Sequence, residues 1–138
     1  MCCHFQPTAT NARIGDTYSV TFIAAGVYNY FCVYDVHVHM DGTVAVPLRV
    51  SPKSGVAGTL FTVTIATIPA PTDLVYDVQR QDPGGGRFVD WMTGVTATTV
   101  TFDSTDLAAG VYSFRSRVRR LSTDGATDYS PAGSVLVS

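Results

Sequence analysis

Hydrophobic and polar positions alternate in short runs along most of this chain, and no stretch sustains a helical repeat. Residues 17–23, TYSVTFI, alternate over the length of a strand after the turn signal Gly15-Asp16. VYNYFCVY then alternates again, with Val27, Asn29 and Phe31 on one face and Tyr28, Tyr30 and Cys32 on the other. TVAVPLRV follows, so three strands are predicted within residues 13–46. From Pro47 to Pro52 the texture turns to loop, as at an interdomain joint. Strands are then predicted at LFTVTIAT (60–67), LVYDVQRQ (74–81), RFVDW (87–91), ATTVTFD (97–103), VYSFRSRVRR (111–120) and GSVLVS (133–138). The turn clusters IPAPTD, DPGGG, MTGVT, DLAAG, STDGATD and SPA separate them. Short strands at such spacing predict an antiparallel sandwich. The expected organisation is two units, 1–47 and 48–138.

Composition strengthens the all-β expectation. Val, Thr, Tyr, Phe, Gly and Pro are plentiful, Glu is absent, and Lys53 is the one lysine. The net charge of −2 and a single basic cluster, Arg115, Arg117, Arg119 and Arg120, argue against nucleic-acid binding. The first three of these arginines alternate along a strand and read as a solvated sheet face. No run of apolar residues is long enough for a membrane-spanning helix. MCCHFQPTA has neither the basic nor the apolar region of a signal peptide. DPGGGR reads as a hairpin loop, since no Lys-Ser/Thr and no helix follow as a phosphate cradle would require. Trp91 is expected in the core or half-buried on a sheet face. The pentapeptide AAGVY occurs at 24–28 and at 108–112, and reads as a shared turn solution rather than a duplication.

The candidate chemistry is concentrated in one place. YNYFCVYDVHVHMDG (28–42) puts Cys32, His37, His39 and Met40 within nine residues of a chain that has three His and three Met. Residues 48–138 contain neither His nor Cys. The three cysteines leave an odd thiol. Cys2 and Cys3 are neighbours and do not bridge easily to each other, so either Cys32 is free for chemistry or one of them pairs with it. A zinc site drawn from Cys2 or Cys3, Cys32 and two histidines is a rival metal reading, without a C-x2-C pair to support it.

Two family resemblances follow from these residues. LAAGVYSFRSRVRR…DYSPAGSVLVS resembles the last two strands of a fibronectin type III domain, with Leu107, Tyr112, Phe114, Val118, Ser130, Pro131, Val135 and Val137 in matching places. It implies an immunoglobulin-like antiparallel sandwich over 48–138, and a corner hydrogen bond from the Tyr112 hydroxyl. GDTYSVTFIAAGVYNYFCVYDVHVHMDGTVAV resembles the C-terminal portion of a cupredoxin, the blue-copper fold of plastocyanin. Gly15, Asp16, the SVTF strand, Gly26, Tyr28, Tyr30, Cys32, Met40, Gly42, Val44 and Val46 carry the match. This implies a partial, N-terminally truncated cupredoxin-like sandwich binding copper, with Cys32 as thiolate ligand and Met40 as axial ligand. His37 is the preferred loop imidazole over His39, and His4 is the candidate for the second imidazole. Copper shuttling between its oxidation states suits such a mixed thiolate, imidazole and thioether set.

The leading expectation is therefore a secreted or periplasmic copper-binding protein that transfers one electron at a time to a redox protein partner, or carries copper, and is not an enzyme. The compartment is implied by the families. The alternative is a structural or adhesion module with a vestigial, metal-free cupredoxin remnant. Hydrolytic chemistry is not supported by three histidines that all lie within the first 39 residues.

Overall fold

Alternating β-branched and aromatic residues, broken by Gly, Pro and Asp turns, fold here into strands. The computed structural model describes residues 20–31 and 41–138. Among the described residues there is no helix. Strands β1 (Gly26–Phe31) and β2 (Asp41–Val46) pair as an antiparallel hairpin. The sandwich comprises β3 (Arg49–Ser51), β4 (Ser54–Gly55), β5 (Leu60–Thr64), β6 (Leu74–Gln81), β7 (Val89–Val95), β8 (Thr99–Asp103), β9 (Gly110–Arg120) and β10 (Gly133–Val137). One sheet runs β4-β10-β9-β6-β7 and the other β3-β5-β8. All pairings are antiparallel except β4 on β10. Two sheets in this strand order stack as an immunoglobulin-like β-sandwich.

The two sheets close on one core. Phe61, Val63, Ile65 and Phe102 come from or follow the strands of the three-stranded sheet. Tyr76, Val78, Tyr112, Phe114, Val135 and Val137 face them from the five-stranded sheet. Each fully buried large apolar side chain contributes about 1.5–3 kcal/mol. Trp91 lies half-buried at the margin, as expected, with its ring centroid 5.2 Å from Phe114 and 6.0 Å from Phe102.

Three expectations need amendment. The stretch from Pro47 to Pro52 is not loop throughout: β2 ends at Val46 as expected, but Arg49–Ser51 form β3, which pairs in a different sheet. Proline has no N–H for the ladder, so it sits between the strands. MTGVT is not a turn, because β7 continues through Met92, Thr93, Gly94 and Val95. The pairing with β6 is irregular there, and Gly94 takes φ +68°, so a bulge absorbs the glycine. Of TYSVTFI, residues 20–23 lie outside any strand, and 17–19 lie outside the described residues.

The segment before β1 docks on the sandwich. Ala25 N donates to Ile65 O at 2.8 Å, and Thr67 N donates to Ile23 O at 2.7 Å. Ala24 bridges Ala66, Val27 bridges Asp128, and Ala24 and Ala25 are buried with the sandwich core. A Cβ on Gly26 would stand 2.9 Å from Thr127 Oγ1, so only glycine allows this approach.

Candidate functional site

The metal-ligand candidates Cys32, His37, His39 and Met40, and also His4, Cys2 and Cys3, lie outside the described residues. What is described is the frame around the first four. In the β1–β2 hairpin Phe31 pairs with Asp41. Cys32 directly follows one member of that pair and Met40 directly precedes the other. Among the described residues no group of three or more His, Cys, Asp or Glu is placed to hold a metal.

Behind the hairpin, at its joint with the sandwich, a cleft of about 270 Å³ is lined by Phe22, Ile23, Val46, Pro47, Ile65 and Arg49, among others. It is mostly apolar. Arg49 is the one charged side chain among its described lining residues.

Among the described residues, the densest polar constellation lies on the outer face of the five-stranded sheet. Asp77 sits in the middle of β6, between Tyr76 and Val78, which point into the core. Alternation sends its carboxylate to the opposite face, where it is nevertheless buried, its side chain 3% exposed. Arg119 donates to Asp77 from Nε at 2.7 Å and from Nη2 at 3.1 Å. Arg117 donates from Nε at 3.1 Å, and the Gly94 amide donates at 3.1 Å from the bulge on β7. Burial alone would raise the Asp77 pKa. The bonds from Arg119, Gly94 and Arg117 and the charge of Arg119 outweigh it and hold the carboxyl below its ordinary value. The same hydrogen bond from Arg119 to Asp77 is the main cause that raises the Arg119 pKa.

Aromatic rings cover the remaining guanidinium. Arg115 lies between Phe88 and Tyr129, 4.3 and 4.7 Å from their centroids, and Arg117 lies 4.9 Å from Tyr129. Arg115 Nε donates to Gln79 Oε1, and Gln79 Nε2 donates in turn to Asp90. The arginine row is therefore not the solvated face that its spacing suggests: Arg117 and Arg119 are half-buried over a carboxylate. Desolvation is the first cause of the raised Tyr129 pKa; Asp90 and Asp77 add to it, and Arg117 and Arg115 oppose it. The sequence did carry a signal for this site. Asp77 stands in mid-strand among apolar residues rather than in a turn, and a buried charge there requires cationic partners. Chemically, every group in this cluster is engaged by another, which suits cross-strand bracing.

The corner bond expected of Tyr112 is present: its hydroxyl donates to Ala108 O at 2.8 Å. The other AAGVY does the same, with Tyr28 donating to Ala24 O at 2.7 Å. The shared pentapeptide thus makes one local arrangement twice.

No protein-family model matches this chain, and no curated protein matches it in sequence. Among solved structures it is similar to a Fn3-like protein from Clostridium thermocellum, at 20% identity over 62% of this chain and 90% of that one, TM-score 0.42. It is similar to the fibronectin type-III domain of human fibronectin type III domain containing protein 3, at 11% identity over 67% and 85%, TM-score 0.46. It is also similar to the PKD domain of an M14-like peptidase from a Thermoplasmatales archaeon, at 19% identity over 69% and 97%, TM-score 0.35.

Proposed function

We propose that this chain is a non-catalytic structural module of immunoglobulin-like type, a spacer or adhesion unit that works outside the cytoplasm, with units divided near Pro47. The observation that carries this reading is the outer sheet face. Its largest set of functional groups, Asp77 with Arg115, Arg117 and Arg119, is consumed in bracing neighbouring strands. The bonds from Ile23 and Ala25 to the sandwich suit a unit that transmits position.

A second reading rests on the hairpin. The Phe31–Asp41 pair supports a copper site in which Cys32, Met40 and His37 or His39 are returned to one place, with His4 completing the set. A thiolate and a thioether next in sequence to the two members of the Phe31–Asp41 pair suit copper chemically. Bound there, copper would supply one-electron transfer to a redox protein. The chain's own residues would hold the ligands in place through both oxidation states.

A Cu(II) titration of the reduced chain, followed by visible absorption and EPR, separates the two. The structural reading expects no intense thiolate-to-copper band. Such a band, abolished by Cys32→Ser and by His37→Ala, would overturn it in favour of the copper reading.

A further inference from the structure

The segment that docks on the sandwich, Ile23-Ala24-Ala25-Gly26-Val27-Tyr28, has a second copy at Leu107-Ala108-Ala109-Gly110-Val111-Tyr112. The two differ only by Ile against Leu. They also fold alike. Each tyrosine donates to the carbonyl four residues back. Each glycine opens a hairpin and pairs with a valine, Gly26 with Val46 and Gly110 with Val137.

Their surroundings differ. Ala24 and Ala25 are 2% and 3% exposed and belong to the sandwich core. Ala25 N donates to Ile65 O, Thr67 N donates to Ile23 O and Val27 N donates to Asp128 O. The sandwich thus receives the first copy at two places, the chain just after β5 and the loop between β9 and β10. The second copy is bare. Ala108 and Ala109 are exposed, and Val111 is 51% exposed. Among the described residues, Ala109 N and Leu107 O, the counterparts of Ala25 N and Ile23 O, have no hydrogen-bond partner. Leu136, which pairs with Val111, is itself 48% exposed, so an apolar pair lies beside this open backbone. At Gly110 the close neighbour is Pro83 of the same sandwich, 2.6 Å from where a Cβ would stand. What remains for a partner is Leu107 to Ala109 and the Val111–Leu136 pair. One sequence in one local conformation calls for one complement: a carbonyl for the amide, an amide for the carbonyl, and an apolar wall for the two alanines.

We propose that Leu107 to Val111, with Leu136, is a docking surface for another immunoglobulin-like sandwich, which receives it as this sandwich receives Ile23 to Val27. The partner must offer a bare strand end like the one after β5. In this chain that place is already taken by Ile23 and Ala25, so a second complete copy does not present it. The proposal rests on the structural reading, which fails on a copper band, whereas the surface is read by amide exchange. The test appends residues 47–138 after Val137, so that a second sandwich follows β10 as this one follows β2. Exchange at Ala109 is expected to slow by about tenfold relative to the original chain, the order that one added hydrogen bond gives. Val111→Asp, a change at an exposed side chain, is expected to abolish the slowing while the amides of Tyr112 and Phe114 keep their protection. An appended sandwich that fails to fold, or that folds and leaves Ala109 exchanging as fast as before, would overturn the proposal. Slow exchange at Ala109 already present in the original chain and lost on dilution would overturn it too, and assign the surface to a second copy.

Discussion

Asp77→Asn isolates the electrostatic bracing of the sheet, because it removes a charge and almost no volume. In the native chain the buried carboxylate accepts two bonds from Arg119, one from Arg117 and one from the Gly94 amide. Hydrogen bonds to charged groups contribute about 1.5–3 kcal/mol each. Two considerations reduce that sum. The Asn oxygen still accepts from Gly94 and one arginine, and the guanidinium groups, 21% and 32% exposed, recover some hydration. The remaining loss is about 2–3 kcal/mol, part of it repulsion between two arginines whose shared anion is gone. For a chain of this size that lowers Tm by roughly 8–12 °C. The acid dependence is diagnostic. Native Asp77 binds its proton more weakly than in the unfolded chain, whose ordinary value is 3.8. Its contribution is therefore complete above that pH and is lost as pH falls through the lower native value. Chemical denaturation of wild type and variant from pH 7 to pH 2 is expected to show a gap that closes in acid. A gap under about 0.5 kcal/mol at pH 7, or one of constant size down to pH 2, would refute the reasoning.

Four further outcomes are expected. Tyr112→Phe strips the Ala108 carbonyl of its donor at the corner and costs about 1–3 kcal/mol, read as a lower denaturation midpoint with an unchanged slope. Tyr28→Phe, at the equivalent corner, is expected to speed amide exchange in β1 and β2 while β9 and β10 keep their protection. Gly26→Ala drives a methyl against Thr127, whose hydroxyl is held between Val118 N and Asp128 O; it should cost about 1–3 kcal/mol, with exchange accelerated at Ala25 and Val27. Trp91→Ala removes a half-buried ring from Phe102 and Phe114 and is expected to destabilise by about 2–3 kcal/mol, less than a fully buried aromatic would, measured by circular dichroism because the sole tryptophan is lost.

The parts of this fold that were legible in the sequence are those where one rule acts alone. LVYDVQRQ was expected at 74–81 and β6 occupies those residues, because alternation and flanking turns agree there. VYSFRSRVRR was legible for the same reason, and β9 differs from it only by Gly110. Where two rules compete, sequence reasoning took the louder one. In MTGVT the glycine suggested a turn. Yet the Gly94 amide is drawn to the Asp77 carboxylate on the neighbouring strand, and β7 runs on through a bulge. That bond spans residues 17 apart, which no local pattern encodes. The arginine row failed by the same route. Alternation placed Arg115, Arg117 and Arg119 on one face correctly, but exposure depends on what stands opposite. Asp77, Phe88 and Tyr129 come from elsewhere in the chain to meet them. AAGVY is the converse case. Its tyrosine and its acceptor are four residues apart, so the bond is a local property and the motif makes it at both sites.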